Sequence, residues 1–185
     1  EIGFPVVLKM LGPKLAHKSE AGAVAVGISD DRILELALQA MLKAVAEFDP
    51  DAVTNRFLVE KLAPKPIAEL IINIRRDPQF GLAMTLGSGG VFVELIGDAE
   101  TLLLPVSEPD VEAAIGQLKV SRILKGYRGS KSADISALTR TLTQFAHEVV
   151  RNANDICEIE INPLFVCEDG LWAVDVLAQV PKVGQ

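Results

Sequence analysis

Glu158-Ile159-Glu160-Ile161-Asn162-Pro163-Leu164-Phe165-Val166, then Glu168-Asp169-Gly170, then Leu171-Trp172-Ala173-Val174-Asp175-Val176-Leu177 reads as two strands around a tight turn. Strict alternation with isoleucine sends Glu158, Glu160 and Asn162 to one face of the first strand. On the return, Asp175 interrupts an apolar run, an odd position for a carboxylate. With the turn near Asp169, Asp175 falls within about a residue of lying opposite Asn162. A strict register can set the two on opposite faces, and a bulge at Pro163 would return them to one.

Working outward from this hairpin, the preceding segment predicts a long helix over about Ala133 to Asn152, opened by Ser132. Its apolar stripe is Ile135, Leu138, Leu142, Phe145, Val149 and Val150. Ser107, with Pro109 in the first turn, opens another helix to about Leu118. Ile67–Arg75, Leu82–Leu86, Val91–Leu95 and Glu100–Leu104 read as strands. Pro64-Lys65-Pro66 excludes both helix and central strand and is the expected hinge. Before it lie the strands Pro5–Met10, Ala23–Ile28 and Arg56–Leu62, with a helix from Asp30 or Asp31 to about Phe48. The fold class expected is α/β (α+β) in two lobes, residues 1–63 and 64–185.

The 185 residues are 49% hydrophobic and 23% charged, which excludes a disordered chain. A net charge of −7 argues against a surface built for nucleic acid or anionic membrane. No apolar run reaches the roughly 20 residues that span a bilayer. Two cysteines give no disulfide framework or zinc set and suggest a reducing compartment. The chain opens almost at once into a strand, without an initiator Met, so it is expected to be a piece of a longer protein.

Four places can carry chemistry. Asn162 and Asp175, an amide oxygen and a carboxylate, suit Mg²⁺, although a solvated sheet face has the same look. Gly87-Ser88-Gly89-Gly90 is either an anion-binding nest or a plain tight turn. Lys9 in an apolar strand needs a phosphate or carboxylate partner unless it snorkels at an edge. His17-Lys18-Ser19 groups an imidazole, an ammonium and a hydroxyl; the set can bind phosphate, His17 can accept a phosphoryl group, or the loop is inert surface. His147, mid-helix beside Glu148, reads as surface.

The order of short strings along the chain is more specific than any one of them. Gly3-Phe4-Pro5-Val6-Val7-Leu8-Lys9, His17-Lys18-Ser19, Arg76-Asp77-Pro78-Gln79-Phe80-Gly81, Gly87-Ser88-Gly89-Gly90-Val91-Phe92-Val93-Glu94, Leu124-Lys125-Gly126-Tyr127-Arg128-Gly129 and Glu160-Ile161-Asn162-Pro163-Leu164 occur in that succession. Together they resemble the ATP-grasp domain of NDP-forming acyl-CoA synthetases of the ADP-forming acetyl-CoA synthetase type, related to the succinyl-CoA synthetase β subunit. The resemblance implies an ATP-grasp fold with its N-terminal part missing, a smaller lobe over 1–63 and a larger one over 64–185, and a nucleotide cleft between them. It implies ATP or ADP with Mg²⁺ as cofactors. Lys9, Lys18, Arg76, Gly89 and Gly90 would serve the nucleotide, Glu60 the hinge near adenine, Glu69 the ribose, and Asn162 and Asp175 the metal. His17 would be the catalytic residue, a second phosphoryl relay. The reaction implied interconverts acyl-CoA, ADP and phosphate with acid, CoA and ATP through a phosphohistidine. CoA-binding and ligase domains, in the same chain or in a separate α subunit, would be its partners within a larger cytoplasmic oligomer. Two further readings are a regulatory domain of a protein acetyltransferase that has lost catalysis, and a succinyl- or malate-type CoA ligase β subunit. One departure from the family pattern is Ala23, which replaces a glycine after the His17 loop and could crowd a phosphate.

Overall fold

The computed structural model describes residues 2–15, 17–89 and 97–181. The chain divides into two compact units, residues 1–63 and 64–185.

The first unit is a three-stranded antiparallel sheet backed by one helix. Strand β1 (Val6–Met10) runs between β2 (Val24–Ile28) and β3 (Phe57–Lys61). Helix α1 (Asp31–Phe48) starts where the Asp30 carboxylate accepts the Ile33 N–H at 2.9 Å. Its Met41 and Val45 pack on Val6, Leu8 and Met10, which alternation sends to one face of β1. Val7 and Lys9 therefore point to the other face, and both are buried.

The second unit is a larger antiparallel sheet covered on one side by helices. Its strands are β4 (Ala68–Asp77), β5 (Gly81–Ser88), β6 (Ala99–Leu103), β7 (Glu158–Cys167), β8 (Gly170–Ala173) and β9 (Val176–Gln179). Their order is β6-β5-β4-β7-β8, with β9 continuing the line of β8 along β7. The helices are α2 (Glu108–Gln117), the single turn α3 (Ser121–Leu124) and α4 (Ile135–Arg151). Leu70, Ile72 and Ile74 of β4, Met84 and Leu86 of β5, and Ile161 and Leu164 of β7 meet Val111, Ile115, Leu138, Leu142 and Val149 in one core. That burial is the main force holding helices to sheet.

Three expectations are corrected here. Helix α4 is capped by Asp134, whose carboxylate accepts the Ala137 N–H at 2.9 Å, and not by Ser132. The return strand of the hairpin is split, with Val174 and Asp175 in the gap between β8 and β9. His147 is half-buried rather than surface, its Nε2 lying 2.8 Å from the Val106 carbonyl oxygen. The strand expected over Val91–Leu95 lies outside the described residues. Among those described, no helix is long and apolar enough to cross a membrane.

Candidate functional site

The hairpin turn consists of two residues, Glu168 and Asp169, because Cys167 pairs with Gly170. A two-residue turn fixes everything behind it. Leu164 meets Ala173 and Ile161 meets Val176, and the steps between are closed by Val174 N–H to Pro163 O and Asn162 N–H to Asp175 O, each 3.0 Å. Asn162 thus stands directly across from Asp175 in an unbroken register, on one face of the sheet. No bulge is needed on this side. The bulge at Asn162–Pro163 exists on the other side of β7, where these two residues oppose Ile71 alone between the pairs Leu70–Leu164 and Ile72–Ile161.

The face that carries Asn162 is polar along its length. Asn73 on β4 donates its amide to Glu158 Oε1 at 2.8 Å and to Glu160 Oε2 at 3.2 Å. Asn162 Nδ2 reaches Glu160 Oε1 at 3.2 Å, and Gln179 Nε2 reaches Glu158 Oε2 at 3.1 Å. With Nδ2 turned to Glu160, the Oδ1 end of Asn162 is the end a cation would use. Among the described residues no three His, Cys, Asp or Glu side chains are grouped as a metal site. The donor set is one amide oxygen and one carboxylate, hard oxygen ligands that fit Mg²⁺ completing its shell with phosphate and water.

Glu69 shares this face, since Leu70, Ile72 and Ile74 alternate to the helix side. Gly89 lies hard against it. Its N–H donates to the Glu69 carbonyl at 2.6 Å, and a Cβ there would stand 2.8 Å from the Glu69 carbonyl carbon. Only glycine permits that approach. Glu69, Gly89, Asn162 and Asp175 therefore belong to one sheet face. Arg76 does not. It follows Leu70, Ile72 and Ile74 to the helix-covered side, where its guanidinium donates to the Ala153 carbonyl at 2.8 Å. This corrects the expectation that it joins the others. Gly90 lies outside the described residues.

Lys9, Lys18, Glu60 and His17 belong to the first unit. Lys9 is 5% exposed, and its Nζ stands 2.6 Å from Glu60 Oε2 on the neighbouring strand. Of the two partners expected for a lysine in that strand, the carboxylate is present. It arrives diagonally, since Val7 pairs with Glu60 and Lys9 with Leu58. His17 is exposed and Lys18 half-buried in a compact turn closed by Ala21 N–H to His17 O at 3.3 Å and Ala23 N–H to Lys18 O at 2.8 Å. The methyl group of Ala23 is buried in the core of the first unit, where the Ala23 carbonyl accepts the Met10 N–H at 2.9 Å, so it cannot crowd a ligand at the loop. Gly22 next to it has φ +67 and would press a Cβ to 2.8 Å from that of Ala44, so this glycine is required.

Sequence reasoning passed over Asp98. Only 7% exposed, it accepts hydrogen bonds from the Ser88 hydroxyl, from the Lys119 N–H at 2.7 Å and from the Val120 N–H at 3.1 Å. Burial pushes its carboxyl up, but these three bonds and the Lys119 charge outweigh burial and hold it below its ordinary value. No local signal marks it, because two of its partners are more than 20 positions away. Cys167, also buried, has its thiol pushed up by burial and by Asp169, which disfavours the nucleophilic thiolate.

Residues 1–180 match the ATP-grasp domain family. The β subunit of the ADP-forming acetate–CoA ligase I of Pyrococcus furiosus is 36% identical over 175 residues, 95% of this chain and 75% of that subunit. The ADP-forming acetate–CoA ligase I of Archaeoglobus fulgidus is 35% identical over 94% of this chain, which spans 25% of that protein. In structure, the chain is similar to the dinucleotide-forming acetyl-coenzyme A synthetase 1 of Candidatus Korarchaeum cryptofilum, solved with coenzyme A and Ca-AMPCP. The TM-score is 0.90 at 37% identity, over 97% of this chain and 78% of that one. The chain belongs to the ATP-grasp domain family, on the branch of the ADP-forming acyl-CoA ligases.

Proposed function

We propose that this chain is the nucleotide-binding part of an ADP-forming acyl-CoA synthetase, which interconverts acyl-CoA, ADP and phosphate with acid, CoA and ATP. The observation that carries the reading is the opposition of Asn162 and Asp175 on the face that also holds Glu69 and Gly89. Residues 1–63 would be the smaller ATP-grasp lobe and 64–185 the larger. In this reading Asn162 and Asp175 hold Mg²⁺, which neutralises phosphate charge when bound, and Glu69 accepts the ribose hydroxyls. Lys9 and Lys18 meet the phosphates, and Glu60 orients Lys9 and borders the base. A phosphoryl group moves from a histidine nitrogen to the terminal oxygen of ADP. The P–N bond breaks, a P–O bond forms, and the imidazole recovers neutrality by keeping or taking up one proton. His17, exposed beside Lys18, would be a relay for that group.

CoA-binding and ligase parts would be supplied by a separate α subunit or by the same chain, within a cytoplasmic oligomer. The burial of Ala23 speaks against its crowding a phosphate at the His17 loop. The test is thermal unfolding with MgADP or MgATP. Wild type should be stabilised by linkage, and Asp175→Ala should lose the magnesium-dependent part of the shift. In the assembled enzyme with MgATP, acid-labile phosphate should appear on His17 and vanish in His17→Ala. No stabilisation at millimolar nucleotide would refute the nucleotide reading.

A further inference from the structure

We infer that Asp98 is a positioning residue: from the helix-covered side of the sheet it fixes Ser88, and through Ser88 it sets the Gly89 amide against Glu69 for a nucleoside diphosphate. The inference deepens the nucleotide reading above and rests on it.

The end of β5 is wedged between two backbones. On one side Ser88 is bonded to Asp98 twice, by its hydroxyl to the carboxylate and by its N–H to the Asp98 carbonyl at 3.0 Å. On the other side the next residue, Gly89, donates to the Glu69 carbonyl at 2.6 Å with no room for a side chain. Gly87 is tight as well, since a Cβ there would come 3.1 Å from the Asp98 carbonyl oxygen and 3.0 Å from the Ile71 side chain. The register at Leu70–Ser88 sends the Ser88 side chain to the same side as Leu82, Met84 and Leu86, away from Glu69. Asp98 thus does not touch a ligand on the Glu69 face. It acts by holding the strand end to the Lys119–Val120 backbone just after α2.

A carboxylate with three donors is a costly arrangement for a plain turn, which needs only the backbone bond. The second tie explains why serine stands among glycines. The glycines let backbones approach, and the hydroxyl restores the rigidity that they give away.

The experiment is calorimetric titration of MgADP into wild type, Ser88→Ala, Ser88→Thr and Asp98→Asn, paired with amide exchange at Gly89 and Ile72. Ser88→Ala leaves both amide bonds of Asp98 in place, so it carries the test should Asp98→Asn fail to fold. Expected are MgADP binding about tenfold weaker in Ser88→Ala and a return to within about twofold of wild type in Ser88→Thr. Exchange at Gly89 should quicken by about tenfold with Ile72 unmoved. A purely structural Asp98 would speed both amides equally and leave affinity alone, and that result overturns the inference. Wild type that does not bind MgADP overturns the nucleotide reading along with it, whereas normal binding by Ser88→Ala overturns this inference only.

Discussion

Lys9 and Glu60 make an ion pair whose two ends stand in different surroundings, so removing one end should cost far more than removing the other. The Lys9 side chain is 6% exposed, that of Glu60 is 38%, and their charged atoms are 2.6 Å apart. In Lys9→Met the apolar stem is kept, and the Glu60 carboxylate can turn toward water. The change should lie within about 1 kcal/mol of neutral, as when buried pairs give way to apolar residues of similar shape. In Glu60→Leu the ammonium stays on a central strand whose five residues are all buried and loses the carboxylate that stands 2.6 Å from it. The cost there should be about 2–3 kcal/mol, below that of a fully buried pair because Glu60 already meets solvent. Trp172 and Tyr127 both lie in the second unit, so a probe inside the first is needed. The assay is amide exchange at Leu8 and Lys9. Protection in Glu60→Leu should fall by about 30- to 150-fold, and in Lys9→Met by no more than about fivefold. Equal losses, or a larger loss in Lys9→Met, would refute the argument from unequal exposure.

Asp98→Asn should lower stability by about 2 kcal/mol at neutral pH, read as the urea midpoint of Trp172 fluorescence with an unchanged slope. Because the folded carboxyl lies below its ordinary value, its contribution is complete above the unfolded pKa near 4 and lost as pH falls through the lower folded value. The gap between wild type and variant should therefore hold down to about pH 5 and close below about pH 4; a gap independent of pH would contradict the assignment. Gly89→Ala should destabilise by about 2 kcal/mol, since its methyl would meet the Glu69 backbone. Gly116→Ala, in helix α2 with nothing within 4 Å of the new methyl, should instead stabilise by about 0.5–1 kcal/mol. Thermal scans of the two variants check both signs.

The hairpin was legible because its chemistry depends on counting. Once the turn is two residues, Asn162 can only meet Asp175; what the sequence left open was whether the turn spans two or three positions and whether Pro163 bulges the strand. Alternation likewise held enough information to set Arg76 apart, for Leu70, Ile72 and Ile74 point the same way; the short motif around it drew attention to the residue and away from its parity. Caps were less readable, because Ser132 and Asp134 both satisfy the composition rule and only the backbone decides which side chain reaches an open N–H. Asp98 and His147 were not readable. Asp98 finds its amide donors 21 and 22 residues away, and His147 its carbonyl 41 residues away, so no window along the chain contains both ends of the interaction.

The glutamates beside the proposed metal ligands are bridged by amides, Asn73, Asn162 and Gln179. An amide lends a proton to a hydrogen bond but cancels no charge, and Arg75, which pairs across from Glu158, is outnumbered by Glu69, Glu158, Glu160 and Asp175 on the same face, so the field there stays negative. A sheet surface of that sign repels a bare polyphosphate and welcomes one already complexed with a divalent ion. On the proposed reading, the amides make it a filter that admits the magnesium salt of the nucleotide and turns away the free anion, before any ligand atom touches the protein.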